Sequence, residues 1–123
     1  SVKDRGTHST DSCDYPDYIF AAAEGVAQDA GSRGIVMCTT GVGASMCANK
    51  VSGVRAALCI NIDQAVMSRK HNDSNMLVLG AKYMNHTQAE EIVQAWLAEE
   101  FEAGRHERRV NKMMQYERMQ REQ

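Results

Sequence analysis

Three short apolar runs set the pattern of this chain. Ile35-Val36-Met37 closes on Cys38, Val54 to Cys59 contains Ala56-Ala57-Leu58, and Met76-Leu77-Val78-Leu79 closes on Gly80. Continuous runs of this length, bounded by polar and glycine-rich residues, predict strands covered on both faces. We place them at residues 34–38, 54–59 and 75–80. The segments between them predict short helices over 44–51 and 63–70, with Ser52-Gly53 breaking the first. Upstream, Ile19, Ala22, Ala23, Val26, Ala27 and Ala30 fall on one helical face. Pro16 suits the first turn of that helix, Asp14 or Tyr15 its cap, and Gly31 its end. Downstream, Thr87-Gln88-Ala89-Glu90 reads as a capping box opening a helix with Ile92, Val93, Trp96, Leu97 and Phe101 on one face. Ala103-Gly104 interrupts it. From Arg105 onward the chain is highly charged, with Val110, Met113, Met114 and Met119 as a narrow apolar stripe. Residues 1–5 read as the tail of a strand and 6–14 as a polar loop. Strands alternating with helices imply crossover connections, and so an α/β fold with a parallel sheet.

A chain of 123 residues makes one domain. Within it, residues 1–104 form the α/β body. Residues 105–123 read as a helical arm whose stripe needs a partner surface, which a second subunit would supply; a frayed surface helix is the alternative. Charge adds little: the net value is −2, giving no support to nucleic-acid binding. No apolar run approaches the roughly 20 residues that span a bilayer, and the start carries no signal-peptide pattern. The four cysteines, Cys13, Cys38, Cys47 and Cys59, contain no Cys-x-x-Cys pair, which argues against a zinc site. With eight methionines they suit a reducing cytoplasm and free thiols.

Chemistry concentrates at Cys38-Thr39-Thr40-Gly41-Val42-Gly43-Ala44-Ser45. In open α/β sheets ligands bind outside the carboxyl ends of strands. Glycines there let backbone N–H groups approach a ligand, and a new helix turns its positive end toward an anion. A cysteine before such a helix is poised as base or nucleophile, although cysteines also serve as small buried residues. Cys47 and Cys59 fit the latter role. His71-Asn72-Asp73 follows the helix predicted at 63–70 and precedes the strand at 75–80, so it belongs at the opposite end from Cys38. One site can hold both only if the loop curls back or a second subunit brings it in. Arg105 and Arg109 are four apart and share a helical face, which suits a phosphate clamp; a solvated charged face is the alternative.

Four blocks in order resemble the ribose-5-phosphate isomerase B family, which is grouped with the galactose-6-phosphate isomerase subunits. They are Asp14-Tyr15-Pro16-Asp17-Tyr18; the Cys38 loop with Ala48-Asn49-Lys50-Val51-Ser52-Gly53-Val54-Arg55-Ala56; Ser68-Arg69-Lys70-His71-Asn72-Asp73; and Gly104-Arg105-His106-Glu107-Arg108-Arg109-Val110. The resemblance implies a Rossmann-like three-layer sandwich, a homodimer or dimer of dimers, and an active site shared between subunits. It implies an aldose–ketose isomerase acting on a sugar phosphate, ribose 5-phosphate to ribulose 5-phosphate, with no metal or organic cofactor. By that resemblance Cys38 is the base that moves a proton between C1 and C2. Thr40 and the N–H groups of Gly41, Val42, Gly43 and Ala44 hold the enediolate oxyanion. His71 opens the furanose ring. Asn72 and Tyr15 bind hydroxyls. Arg105 and Arg109 hold the phosphate, with His106 and Arg55 nearby.

Two departures from the family pattern stand out. Thr39 replaces a usual glycine, and the family's opening strand–helix unit, with an active-site Asp and His, has no counterpart in these residues. The first suggests a narrowed loop. The second leaves as alternatives a partial record of an ordinary enzyme and a non-catalytic sugar-phosphate-binding subunit. A hexose 6-phosphate substrate of the galactose or allose type is a further alternative within the enzyme class.

Overall fold

A computed structural model describes residues 2–4, 6 and 14–122 of the chain. Its parallel sheet has three strands, β1 (Gly34–Cys38), β2 (Ala56–Leu58) and β3 (Met76–Gly80), in the order β1-β3-β2. Gly34 pairs with Met76 and Cys38 with Gly80, while Ala56 pairs with Met76 and Leu58 with Val78. The central strand is buried throughout. Its alternation divides the core into two layers. Met76 and Val78 join Val36 and the buried faces of α1 (Tyr15–Ala27) and α2 (Val42–Ala48). Leu77 and Leu79 join Cys59, Ala65 of α3 (Ile62–Asn72), and Ala89, Ile92 and Trp96 of α4 (His86–Ala98). Helices on both faces of a parallel sheet make the Rossmann-like three-layer sandwich. On β1, Ile35 and Met37 remain 42% and 49% exposed, since α3 and α4 lie over Leu77 and Leu79 of β3.

The interior polar groups are paired. Trp96 Nε1–H donates to Ser74 Oγ at 2.9 Å, and Ser74 Oγ lies 2.9 Å from Ser68 Oγ. Arg33 donates to the carbonyls of Trp96, Leu97 and Glu99, satisfying the end of α4, and its guanidinium lies 5.6 Å from the Trp96 ring centroid.

Several element ends differ from expectation. Val2–Asp4 forms no strand. The 7–13 part of the predicted loop lies outside the described residues, as does Cys13. α1 stops at Ala27: Gln28 N–H makes the last i→i−4 bond, to Glu24 O, and Asp29 N–H tightens onto Val26 O; Gly31, at φ +91°, serves the following turn instead. α3 runs on to Asn72, and Asp73 caps it in the left-handed region at φ 49°. His71 and Asn72 are therefore helical rather than in a loop. The capping box of α4 is Asn85 with Gln88, each side chain accepting the other's N–H, so Thr87 is already inside the helix. α4 ends at Ala98, which leaves Phe101 in the link to α5 (Gly104–Arg121).

α5 lies against its own protomer along one side. His106 and Val110 are buried, Glu117 accepts from Gly53 N–H at 2.9 Å, and Arg55 Nη1 lies 3.5 Å from Met114 Sδ. Its other side exposes Met113, Tyr116 and Met119. Among the described residues no helix is long and apolar enough to cross a membrane.

Candidate active site

The sheet carries a different chemical group at each end. At the carboxyl end, Cys38 is the last residue of β1, half-buried beside Gly80. The chain then turns through Thr39 and Thr40 into α2. Gly41 makes that turn at φ +81°, a conformation that L side chains rarely adopt, and a Cβ there would come within 2.6 Å of Leu58 Cδ1. Ser45 N–H donates to Gly41 O at 2.9 Å, the first turn of α2. The N–H groups of Val42, Gly43 and Ala44 precede that bond, and Val42 N–H donates to Thr40 Oγ1 at 3.3 Å. Tyr15, the first residue of α1, lays its hydroxyl against Gly43, where any side chain would collide with it. The fold thus brings Tyr15 to the Cys38 loop. Thr39 adopts no positive φ, and its carbonyl accepts from Lys82 N–H at 2.9 Å, so the loop holds this residue without strain.

At the amino end lie His71 and Asn72 in the last turn of α3, and Arg105, His106 and Arg109 in the first turns of α5. Glu102 N–H donates to Lys70 O at 3.1 Å and joins the two helices. The His71 and His106 rings stack with centroids 4.1 Å apart and planes 15° from parallel. His106 is buried, whereas Arg105 and Arg109 are exposed. Burial pushes the His106 imidazole below its ordinary value. The His71, Arg105 and Arg109 charges push the same way, against Glu102, whose Oε1 is 3.8 Å from Nε2. Arg55 is committed elsewhere: its Nε donates to Asp73 O at 2.8 Å and its Nη2 meets Asp73 Oδ2 at 3.5 Å.

The donor atoms of His71, Glu102 and His106 all lie within 4.8 Å of one another. Stacked rings aim their in-plane lone pairs along parallel planes. One ion at about 2 Å could not sit in both planes, so ligation would require the rings to turn. Burial pushes the Cys59 thiol up, opposed by a bond from Ser68, which suits an inert core residue. Cys47 is half-buried against the α1–α2 layer. Both are free thiols.

Sequence order had separated His71 from Cys38, and they do lie at opposite ends of the sheet. The His71–His106 stack gave no local signal, because it joins residues on two helices with β3 and α4 between them.

Fold and groups together define a Rossmann-like α/β protein that offers a thiol, an imidazole pair and paired guanidinium groups for work on a small anionic molecule. Comparison with known proteins narrows that class. The sequence profile of the Ribose/Galactose Isomerase family matches residues 1–113. The chain is 44% identical over 109 residues to ribose-5-phosphate isomerase B of Escherichia coli, covering 89% of this chain and 73% of that one. It superposes on ribose-5-phosphate isomerase B of Clostridium thermocellum with a TM-score of 0.89 at 48% identity, over 93% of this chain and 77% of that one. The Mycoplasma genitalium enzyme of the same name, with bound ribulose-5-phosphate, gives 0.89 at 39% identity over 92% and 76%. The chain belongs to the Ribose/Galactose Isomerase family.

Proposed function

We propose that this chain is an aldose–ketose isomerase interconverting ribose 5-phosphate and ribulose 5-phosphate, through an enediolate, in a site shared by two subunits. One observation carries the reading: a chain 39% identical to an isomerase with bound ribulose-5-phosphate holds Cys38, His71, Arg105 and Arg109 in two separate clusters. In this reading His71 moves the proton that opens the furanose ring, with Asn72 and Tyr15 on sugar hydroxyls. The Cys38 thiolate takes the C2 proton of the open aldose and returns it to C1. The hydroxyl proton moves from O2 to O1, so the sugar is rearranged with no net change. Thr40 and the N–H groups of Gly41, Val42, Gly43 and Ala44 stabilise the enediolate oxygen, and Arg105 with Arg109 holds the phosphate.

A second subunit closes the site. The exposed Met113, Tyr116 and Met119 side of α5, within the 105–123 arm, would be its contact, giving a dimer or dimer of dimers. Free thiols at Cys47 and Cys59 fit a cytoplasmic setting. The test is a coupled assay for ketose formation from ribose 5-phosphate, run beside galactose 6-phosphate and allose 6-phosphate. Turnover of the pentose supports the reading. Preference for a hexose moves the substrate within the class. Binding without any turnover makes the chain a sugar-phosphate-binding subunit.

A further inference from the structure

We infer that His106 is a positioning residue for His71, a flat buried wall on which the ring-opening imidazole rests. This deepens the proposed isomerase site and rests on it for the role of His71. Arg105 and Arg109 are exposed, whereas the His106 side chain is only 10% exposed and faces α3. That geometry gives the phosphate to the guanidinium groups and the His71 ring to His106. Among the described residues no hydrogen bond orients either imidazole, so the 4.1 Å stack is the contact that sets the His71 ring plane. His106 is itself well fixed. Its N–H donates to Ala103 O at 2.9 Å, and Glu102, one residue before Ala103, is tied to Lys70 O. The charged groups around the pair are Glu102 in the link, Arg105 and Arg109 on α5, and Lys70 on α3, the last paired with Glu99 at 3.7 Å. Two face-to-face imidazoles among these cations repel when both are charged. A neutral His106 therefore suits the stack.

The test compares His106→Ala with His106→Phe, which keeps a flat ring and removes both nitrogens. The expected result for H106A is a loss of about 100-fold in kcat with KM little changed, the scale of misplacing a catalytic group. H106F should recover most of that loss. A raised KM at unchanged kcat would make His106 a phosphate ligand and overturn the inference, as would H106F being as impaired as H106A. A second readout needs no turnover. In proton NMR of the unliganded protein the His71 ring signals should be shifted upfield by the stacked ring, and should lose that shift in H106A but keep it in H106F. Unshifted His71 signals in the unsubstituted protein overturn the stack itself. Failure of that protein to isomerise any sugar phosphate strikes the isomerase reading alone.

Discussion

Cys38 and His71 stand at opposite ends of one sheet. Cys38 pairs with Gly80 at the carboxyl end of β3, and His71 lies in the last turn of the helix that leads into Met76 at its amino end. At about 3.3 Å per residue, β3 alone separates those ends by roughly 13 Å. Both groups can act on one small sugar only if two copies pair about a two-fold axis, with the Cys38 end of each against the His71 end of the other. That arrangement predicts complementation. Cys38→Ala and His71→Ala, each inactive alone, should regain activity when unfolded together and refolded as a mixture. Half of randomly paired dimers would be mixed, each with one intact site, so about a quarter of unsubstituted activity should return. A mixture as inactive as its parts would refute the shared site.

Arginines at the amino end divide by what they touch. Arg105 and Arg109 are exposed and share a face, whereas Arg55 is held by Asp73. Removing one charge-assisted phosphate contact costs about 1.5–3 kcal/mol, or roughly 10- to 100-fold in affinity. Arg105→Ala should raise KM for the sugar phosphate by about that factor with little effect on the melting temperature. Arg55→Met should do the reverse, lowering the melting temperature and leaving KM near its original value. Steady-state kinetics and thermal denaturation on both variants decide it; a large KM change in R55M would place the phosphate elsewhere.

His106 also ties stability to pH. Its imidazole is held below the ordinary histidine value, so the unfolded chain binds a proton more readily than the native one. The contribution is fully present above about pH 6.5 and is lost as pH falls through that value toward the native one. Urea midpoints measured at neutral and mildly acid pH should fall with acidification, and the fall should be smaller in His106→Phe. An identical slope in the variant would mean that His106 does not set it.

The reach of the sequence can be judged from particular residues. Residues 34–38 were bounded correctly because glycine and the Thr-Thr-Gly turn flank an apolar run. β3 was legible for the same reason, its burial on both faces removing any polar alternation. The start of α4 was misplaced because Asn85-x-x-Gln88 and Thr87-x-x-Glu90 both satisfy the capping pattern. Met84 packs against the α3–α4 core and favours the earlier one. The last two residues of α3, His71 and Asn72, were missed because the end of the helix contributes no apolar residue to the core. Its Arg69 is instead buried through bonds to Asp73 and Ser74. The candidate site was legible as residues but not as an arrangement. The clustering of His71 with His106 and of Tyr15 with Gly43 depends on tertiary packing, which leaves no period in the chain.

Ala103 offers a test of how firmly the arginine helix is anchored. It caps α5 at φ 58°, ψ −120°, a region suited to glycine rather than to a residue with a Cβ. Its carbonyl nevertheless accepts the N–H groups of His106 and Glu107, at 2.9 and 3.3 Å, and so starts the helix that carries Arg105 and Arg109. Such backbone conformations cost about 1–3 kcal/mol, and glycine removes the steric part while adding up to about 1 kcal/mol of unfolded-state entropy. Ala103→Gly should therefore be neutral to stabilising, by up to about 2 kcal/mol, with the midpoint of urea denaturation unchanged or raised. Ala103→Val should act in the opposite direction, since a β-branched side chain is less tolerant of positive φ. It should also raise KM, because the turn that starts α5 is the turn that sets Arg105. A Val variant as stable as the parent, with unchanged KM, would show that the turn relaxes and that α5 is held by Val110 and Glu117 instead.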